Sequence, residues 1–288
     1  MRRNTLAALA LAPLVLAGAA RAACPDDAAM AAMAASLLNN TPVPPPAPGM
    51  SLAEGLCAQN RLVPIMERSL GRVVGWKVGL TNDAAQTRFR TPHPLAAPIY
   101  EATVRARSGD TLPARFAAVP VVESDLLVRV RDAGINTAGA DHVAILRHLD
   151  QVIPFIELPD LALADLGQMD GPNLLAVGVG ARLGVVGEAF EPPATAEFAA
   201  RLGSMRVRLV NEQRELSEAP GTALLGHPLN VIPWLVGDLA ARGTALKPGD
   251  LISLGGFSPA LPAEAGRTVT ATYTGLREQP VSVSVSLR

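Results

Sequence analysis

The stretch Val121-Val-Glu-Ser-Asp-Leu-Leu-Val-Arg-Val130 is a strand by its β-branched content, and its acids fall at alternate positions. A strand sends successive side chains to opposite faces, so Glu123 and Asp125 share one face while Ser124, Leu126 and Val128 share the other. Side chains two apart on one face are about 6 to 7 Å apart. Two like charges that close, in a partly buried place, raise a pKa unless something positive lies between them. A hard divalent cation meets that need, because oxygen ligands suit Mg2+, Mn2+ or Ca2+. Taken alone, the pair reads equally well as a solvated strand face.

Outward from this strand, Val152-Ile-Pro-Phe-Ile-Glu157 ends an apolar run in an acid, an unusual place for a charge without a partner. Glu157 is the third candidate ligand. Upstream, Gly75-Trp-Lys-Val-Gly-Leu-Thr81 sets Lys77 inside an apolar strand; the chain has one other lysine, Lys247, and its remaining basic residues are arginines. A compact, titratable ammonium is one reason to keep a lysine there, and a side chain snorkelling from a strand edge is another. Downstream, Leu225-Gly-His-Pro-Leu-Asn-Val-Ile-Pro-Trp234 is a turn feeding a helix, with His227 placed to cap it and Trp234 and Leu235 facing the core.

The texture around these runs predicts a strand-dominated chain without internal repeats. Further strands are expected at Leu174–Leu183, Met205–Val210, Leu251–Leu254, Arg267–Tyr273 and Val281–Leu287. Helices are expected at Asp26–Leu38, from Ser51 to near Gly71 with a capping box to Glu54 and a bend near Pro64, around His142–Leu149, and at Leu229–Arg242.

Residues 1–23 read as a cleaved secretory signal: Arg2 and Arg3 precede an apolar run from Leu6 to Ala20 that ends in small residues. Twin-arginine export and lipidation at Cys24 fit less well, the latter because Arg21 stands where a bulky apolar residue is needed. The mature chain is expected to be periplasmic or secreted and free of the membrane, with an arm and Pro-rich linker over 24–50 and a catalytic domain over 51–288. An oxidising compartment would pair Cys24 with Cys57, two unrelated thiols being the alternative. A hydrophobic content of 49% against 18% charged residues excludes a disordered chain. Scattered arginines among 26 acids exclude a nucleic-acid surface.

Jointly, Gly71-Arg-Val-Val-Gly-Trp-Lys-Val-Gly-Leu-Thr81, Glu123-Ser-Asp125, Glu157, Gly226-His-Pro-Leu-Asn230 and Leu246-Lys-Pro-Gly-Asp250 resemble the fumarylacetoacetate hydrolase superfamily, in its branch of 2-keto-4-pentenoate hydratases and 4-oxalocrotonate decarboxylases. The resemblance runs from about Ser51 to Arg288. It implies an α+β fold, a mixed β-roll preceded here by the N-terminal helical segment, and a homo-oligomer. It implies Mg2+ or Mn2+ on Glu123, Asp125 and Glu157, Lys77 beside the reacting carbons, and substrate-binding positions at Thr81, Asn173, Gly255 and Ser258. The implied activity is metal-dependent hydration of a small 2-oxo acid such as 2-hydroxypenta-2,4-dienoate through an enolate. Decarboxylation of a 4-oxalocrotonate-like diacid, or 2-oxo acid binding without turnover, are the alternatives. Three features depart from the branch: Asp125 stands where Glu is usual, Leu254-Gly255 replaces Thr-Gly, and an export signal precedes a normally cytoplasmic enzyme.

Overall fold

The structure is a computed structural model that describes residues 24–44 and 49–288, so the expected signal lies outside the described residues. Two helices lead: α1 (Asp27–Leu38), capped by the Asp26 carboxylate, and α2 (Leu52–Leu70), opened by the reciprocal Ser51–Glu54 capping box. Pro64 is accommodated inside α2, which runs on to Gly71. Met30, Ala34 and Leu37 of α1 and Ala58, Leu62 and Met66 of α2 enter one buried cluster. A disulfide joins Cys24 to Cys57 and ties the start of the arm to α2. No helix among the described residues is long and apolar enough to cross a membrane.

The body begins with β1 (Val73–Gly79), α3 (Asp83–Arg88), β2 (Leu95–Tyr100) and the short β3 (Ala106–Arg107) and β4 (Thr111–Leu112). Then come β5 (Val121–Val130), α4 (His142–Arg147), β6 (Leu149–Leu158), α5 (Gly171–Ala176), β7 (Leu183–Val186) and α6 (Ala196–Ser204). The chain closes with β8 (Arg206–Asn211), β9 (Glu215–Pro220), α7 (Val231–Ala241), β10 (Leu251–Ser253), β11 (Leu261–Pro262), β12 (Arg267–Thr274) and β13 (Val281–Leu287). One mixed sheet has the order β2-β1-β10-β5-β6-β7-β3, with β11 also on β5; the second has the order β4-β13-β12-β8-β9. The α+β architecture expected from the sequence is therefore present.

Alternation explains how the sheets pack. Leu126, Val128 and Val130 of β5 meet Val207 and Leu209 of β8, Val269 and Ala271 of β12, and Val283 and Val285 of β13 in the main core. The opposite face of β5 carries Glu123 and Asp125 and, further along, Leu127, which packs in a separate buried cluster with Ile99, Ile153 and Phe155.

The expected strand at Leu174–Leu183 is a correction. Its first part is helix α5, because the Asp170 carboxylate caps the Asn173 amide and Pro172 sits in the first turn. Gly178, Val179 and Gly180 then all take positive φ, a turn no strand can contain, and extended backbone resumes only at Leu183.

Candidate active site

Strand pairing assembles the site. In the antiparallel β5–β6 ladder Glu123 lies directly opposite Glu157, and Asp125 opposite Phe155. On the other side of β5, the antiparallel β10 sets Ser253 beside Leu127, and the parallel β1 sets Lys77 beside Ser253. Lys77 and Glu157 are 4% and 2% exposed, and the Lys77 Nζ is 2.5 Å from Glu157 Oε1. The register is fixed from the second sheet: the Tyr273 hydroxyl accepts from the Phe155 amide (3.2 Å) and donates to the Phe155 carbonyl (3.0 Å), and it also contacts the Asp125 carbonyl.

Three carboxylates and one ammonium leave two negative charges uncompensated here. Burial first, then the Glu157 charge, push Glu123 up to about 8, with Lys77 opposing. Burial and Glu157 likewise push Asp125 up to about 7. For Lys77 burial alone would favour the neutral amine, but Glu157 and Glu123 outweigh it and hold the ammonium above its ordinary value. Carboxylate oxygens brought together in a buried place have the donor chemistry of a hard cation site.

Lys77, Glu123 and Glu157 line one cavity of about 500 Å³. Its walls include Val78, Leu80, Phe89, Leu161, Val179 and Phe257, and Arg88 reaches it from the end of α3. Leu80 enters from a left-handed backbone conformation (φ 59°), a strained geometry that costs about 1–3 kcal/mol. It turns the chain from β1 to Thr81, which also lines the cavity. A larger, more open groove of about 790 Å³ beside Phe190 and Arg277 contains none of these residues.

Asp125 is held differently from the two glutamates. It has no exposed surface, Oδ2 accepts from the Ser253 hydroxyl (2.5 Å), and Oδ1 accepts from the Gly255 amide (3.1 Å) and from Leu126 N (2.5 Å). With one methylene fewer than glutamate, its carboxylate stays in the sheet instead of reaching the cavity. Among the described residues no group of three or more His, Cys, Asp or Glu side chains is arranged to hold a metal ion. Glu123 and Glu157 do fit one, as two carboxylates facing a common space with room for other oxygen ligands.

The remaining expected positions divide. Ser258 lines the cavity and its Oγ accepts from the Ser124 amide (3.0 Å). Gly255 supports the wall rather than forming it: at φ 111° a Cβ there would lie 2.3 Å from Thr81 Oγ1. Leu254 points into the main core. Asn173 is not brought to the cavity; its Nδ2 binds the Gln168 carbonyl and the Asp170 carboxylate, and its buried Oδ1 has no hydrogen-bond partner. His227 stacks on His142 with ring centroids 3.8 Å apart, outside the cavity. Sequence reasoning missed Arg88, Ser253 and Tyr273. A buried hydroxyl on the apolar β10 was the available signal for Ser253, whereas Arg88 offered none.

No protein-family model matches the chain. It is 27% identical over 210 residues to a 2-keto-4-pentenoate hydratase of Paraburkholderia xenovorans, covering 72% of this chain and 75% of the relative. It is 25% identical over 232 residues to a 4-oxalocrotonate decarboxylase of a Pseudomonas species, covering 80% and 84%. Among solved structures, a 4-oxalocrotonate decarboxylase from Pseudomonas putida complexed with magnesium and adipate superposes with a TM-score of 0.78 at 22% identity, covering 91% of this chain and 96% of that one. A fumarylpyruvate hydrolase from Pseudomonas aeruginosa in complex with Mn2+ and pyruvate gives 0.52 at 16% identity, covering 74% and 89%. The chain is thus a homologue of the 2-keto-4-pentenoate hydratases and 4-oxalocrotonate decarboxylases, built on the fold of the fumarylacetoacetate hydrolase family.

Proposed function

We propose that this protein is a divalent-metal-dependent lyase of the hydratase type that acts on a small 2-oxo acid. The observation that carries the reading is the Lys77–Glu157 pair beside Glu123 at the closed end of an apolar cavity. The relatives named for hydratase and decarboxylase activity support the same reaction class, and the structures complexed with magnesium or Mn2+ support a divalent ion.

Glu123 and Glu157 would hold the ion, and Asp125 would support them from behind through Ser253 and Gly255. When bound, the ion supplies Lewis-acid polarisation of a 2-oxo group. Lys77 then has a defined task. Its Nζ lies 2.5 Å from Glu157 Oε1, so as an ammonium it would stabilise negative charge at the reacting carbons or deliver a proton there, with Glu157 as its nearest proton acceptor. The apolar walls limit competing water. An exported location for the mature chain, and a homo-oligomeric assembly, belong to this proposal.

The test is turnover of 2-hydroxypenta-2,4-dienoate, followed by its ultraviolet absorbance with Mg2+ or Mn2+ present. Lys77→Met should lower kcat by about 10²–10⁴-fold, the usual weight of a positioned proton donor, while 2-oxo acid binding persists. Undiminished turnover in Lys77→Met would remove the basis of the reading.

A further inference from the structure

The segment Gly226-His-Pro-Leu-Asn230 forms no part of the cavity wall, yet it is fastened to that wall through its neighbour Leu225. Its apolar members anchor it, for Pro228 and Leu229 are buried and Leu229 belongs to the main core. His227 caps the turn that leads into α7, its Nδ1 accepting from the Leu229 amide (3.1 Å). Asn230 stands directly before α7, where an asparagine ordinarily bonds the amides of its own helix. Here its side chain makes no cap bond. Both ends of the amide are committed elsewhere: Nδ2 donates to the Leu225 carbonyl (2.9 Å), and Oδ1 accepts from His142 Nε2 at the start of α4 (2.8 Å).

Leu225 is the joint between this segment and the cavity. Its backbone is left-handed (φ 48°), and its amide donates to the Thr81 carbonyl (2.9 Å). Thr81 follows Leu80, which is left-handed as well (φ 59°). Two strained corners therefore meet in one hydrogen bond. Strained backbone persists only where its surroundings fix it. The Gln86 side chain fixes the first corner by donating to the Leu80 carbonyl (3.0 Å), and Asn230 fixes the second. Thr81 itself is 1% exposed and lines the cavity, wedged so tightly against Gly255 that a Cβ there would lie 2.3 Å from Thr81 Oγ1. Its side chain has no slack, and its carbonyl depends on Leu225.

We propose that Asn230 is a positioning residue for the cavity: through the Leu225 carbonyl it holds the turn whose amide sets Thr81 against the bound substrate. This rests on the reading of the cavity as the place where the 2-oxo acid binds. The bonding partners of Asn230, Leu225 and His142, stand apart from Lys77, Glu123 and Glu157, so its loss acts on substrate binding and leaves the cation site and the proton donor in place. Without the Leu225 bond the turn spends part of its time unlatched, and apparent affinity falls by the fraction that stays latched.

Asn230→Asp tests this with little change of shape. It keeps an acceptor toward His142 and puts an oxygen where the donor to Leu225 stood. Asn230→Ala, which loses both bonds and adds no charge, is the second variant. With 2-hydroxypenta-2,4-dienoate as substrate, both should raise KM by about 5- to 100-fold, the equivalent of one lost buried hydrogen-bond partner. Turnover at saturation and Mn2+ affinity by calorimetry should stay at the wild-type values, the pattern of lost binding with the chemistry intact. Hydrogen exchange of the Leu225 amide should quicken in both. A wild-type KM in both variants, a fall in Mn2+ affinity that matches the rise in KM, or unchanged exchange at Leu225 would overturn the inference and leave the proposed function standing. Absence of turnover in the Mn2+-loaded wild type would remove the proposed function and the inference with it.

Discussion

Tyr273→Phe removes one oxygen atom and should cost far more than a surface substitution, because that oxygen is built into the strand pair that carries the carboxylates. Tyr273 has no exposed surface, and its hydroxyl both accepts from Phe155 N and donates to Phe155 O while touching the Asp125 carbonyl. Phenylalanine keeps the ring and its edge-on contact with Phe257, whose centroid is 6.5 Å away, so packing is largely conserved. What is lost is polar satisfaction. Removing a buried hydrogen-bond partner costs about 1–3 kcal/mol, and here Phe155 N, Phe155 O and the Asp125 carbonyl each lose one, for a total of about 2–4 kcal/mol. For a chain of this size each kcal/mol moves the melting temperature by about 2–4 °C. Urea titration of wild type and variant at one temperature measures the difference. A change below about 0.5 kcal/mol, the scale of an ordinary surface substitution, would refute the assignment of Tyr273 as the register lock of β5 on β6.

Three further outcomes follow from the same structure. His227 accepts from the Leu229 amide at Nδ1 (3.1 Å) and bonds the Ala199 carbonyl through Nε2 (2.9 Å), so its neutral form uses both nitrogens. Burial lowers its pKa, the Ala199 bond opposes this and the stacked His142 adds to it; stability linked to His227 is thus complete above the unfolded imidazole value of about 6.5 and is lost as pH falls through the folded value. His227→Gln should flatten that part of a pH–stability curve, and an unchanged curve would count against it. Replacing Cys24 and Cys57 together by serine opens a crosslink spanning 33 positions, which the chain-entropy relation puts at about 4 kcal/mol, without altering ligand affinity at the cavity; chemical denaturation with parallel titration reads both. Finally, Asp125→Asn should weaken Mn2+ binding less than Glu123→Gln does, since the Asp125 oxygens are already bound to Ser253, Gly255 and Leu126. The reverse order in calorimetry would restore Asp125 to the ligand set.

The parts of the fold legible in the sequence are those with a local physical signature. The alternation of β5, β12 and β13, the Ser51 capping box and the acid ending β6 are of this kind, and each depends on residues a few positions apart. Leu174–Leu183 misled because an unbroken apolar run has no period of its own, and its outcome was decided by Asp170, Pro172 and the positive φ values that follow. A six-residue helix such as α3 is too short to show a 3.6-residue repeat, so nothing local announced that Arg88 would reach the cavity. The Asp125–Ser253 bond joins residues 128 positions apart and depends on β10 lying beside β5. The pairing of carboxylates on one strand face was readable; which of them faces open space was not, because that depends on a side-chain length and a hydroxyl supplied from elsewhere.

The central claim is that Glu123 and Glu157 form a cation site on which a 2-oxo acid binds. Isothermal titration of the metal-stripped protein with Mn2+, with and without oxalate, and repeated on Glu123→Gln, tests it most directly. The wild type should bind Mn2+, oxalate should bind only when Mn2+ is present, and Glu123→Gln should lose both. Absence of Mn2+ binding by the wild type, or binding that Glu123→Gln leaves intact, would contradict it.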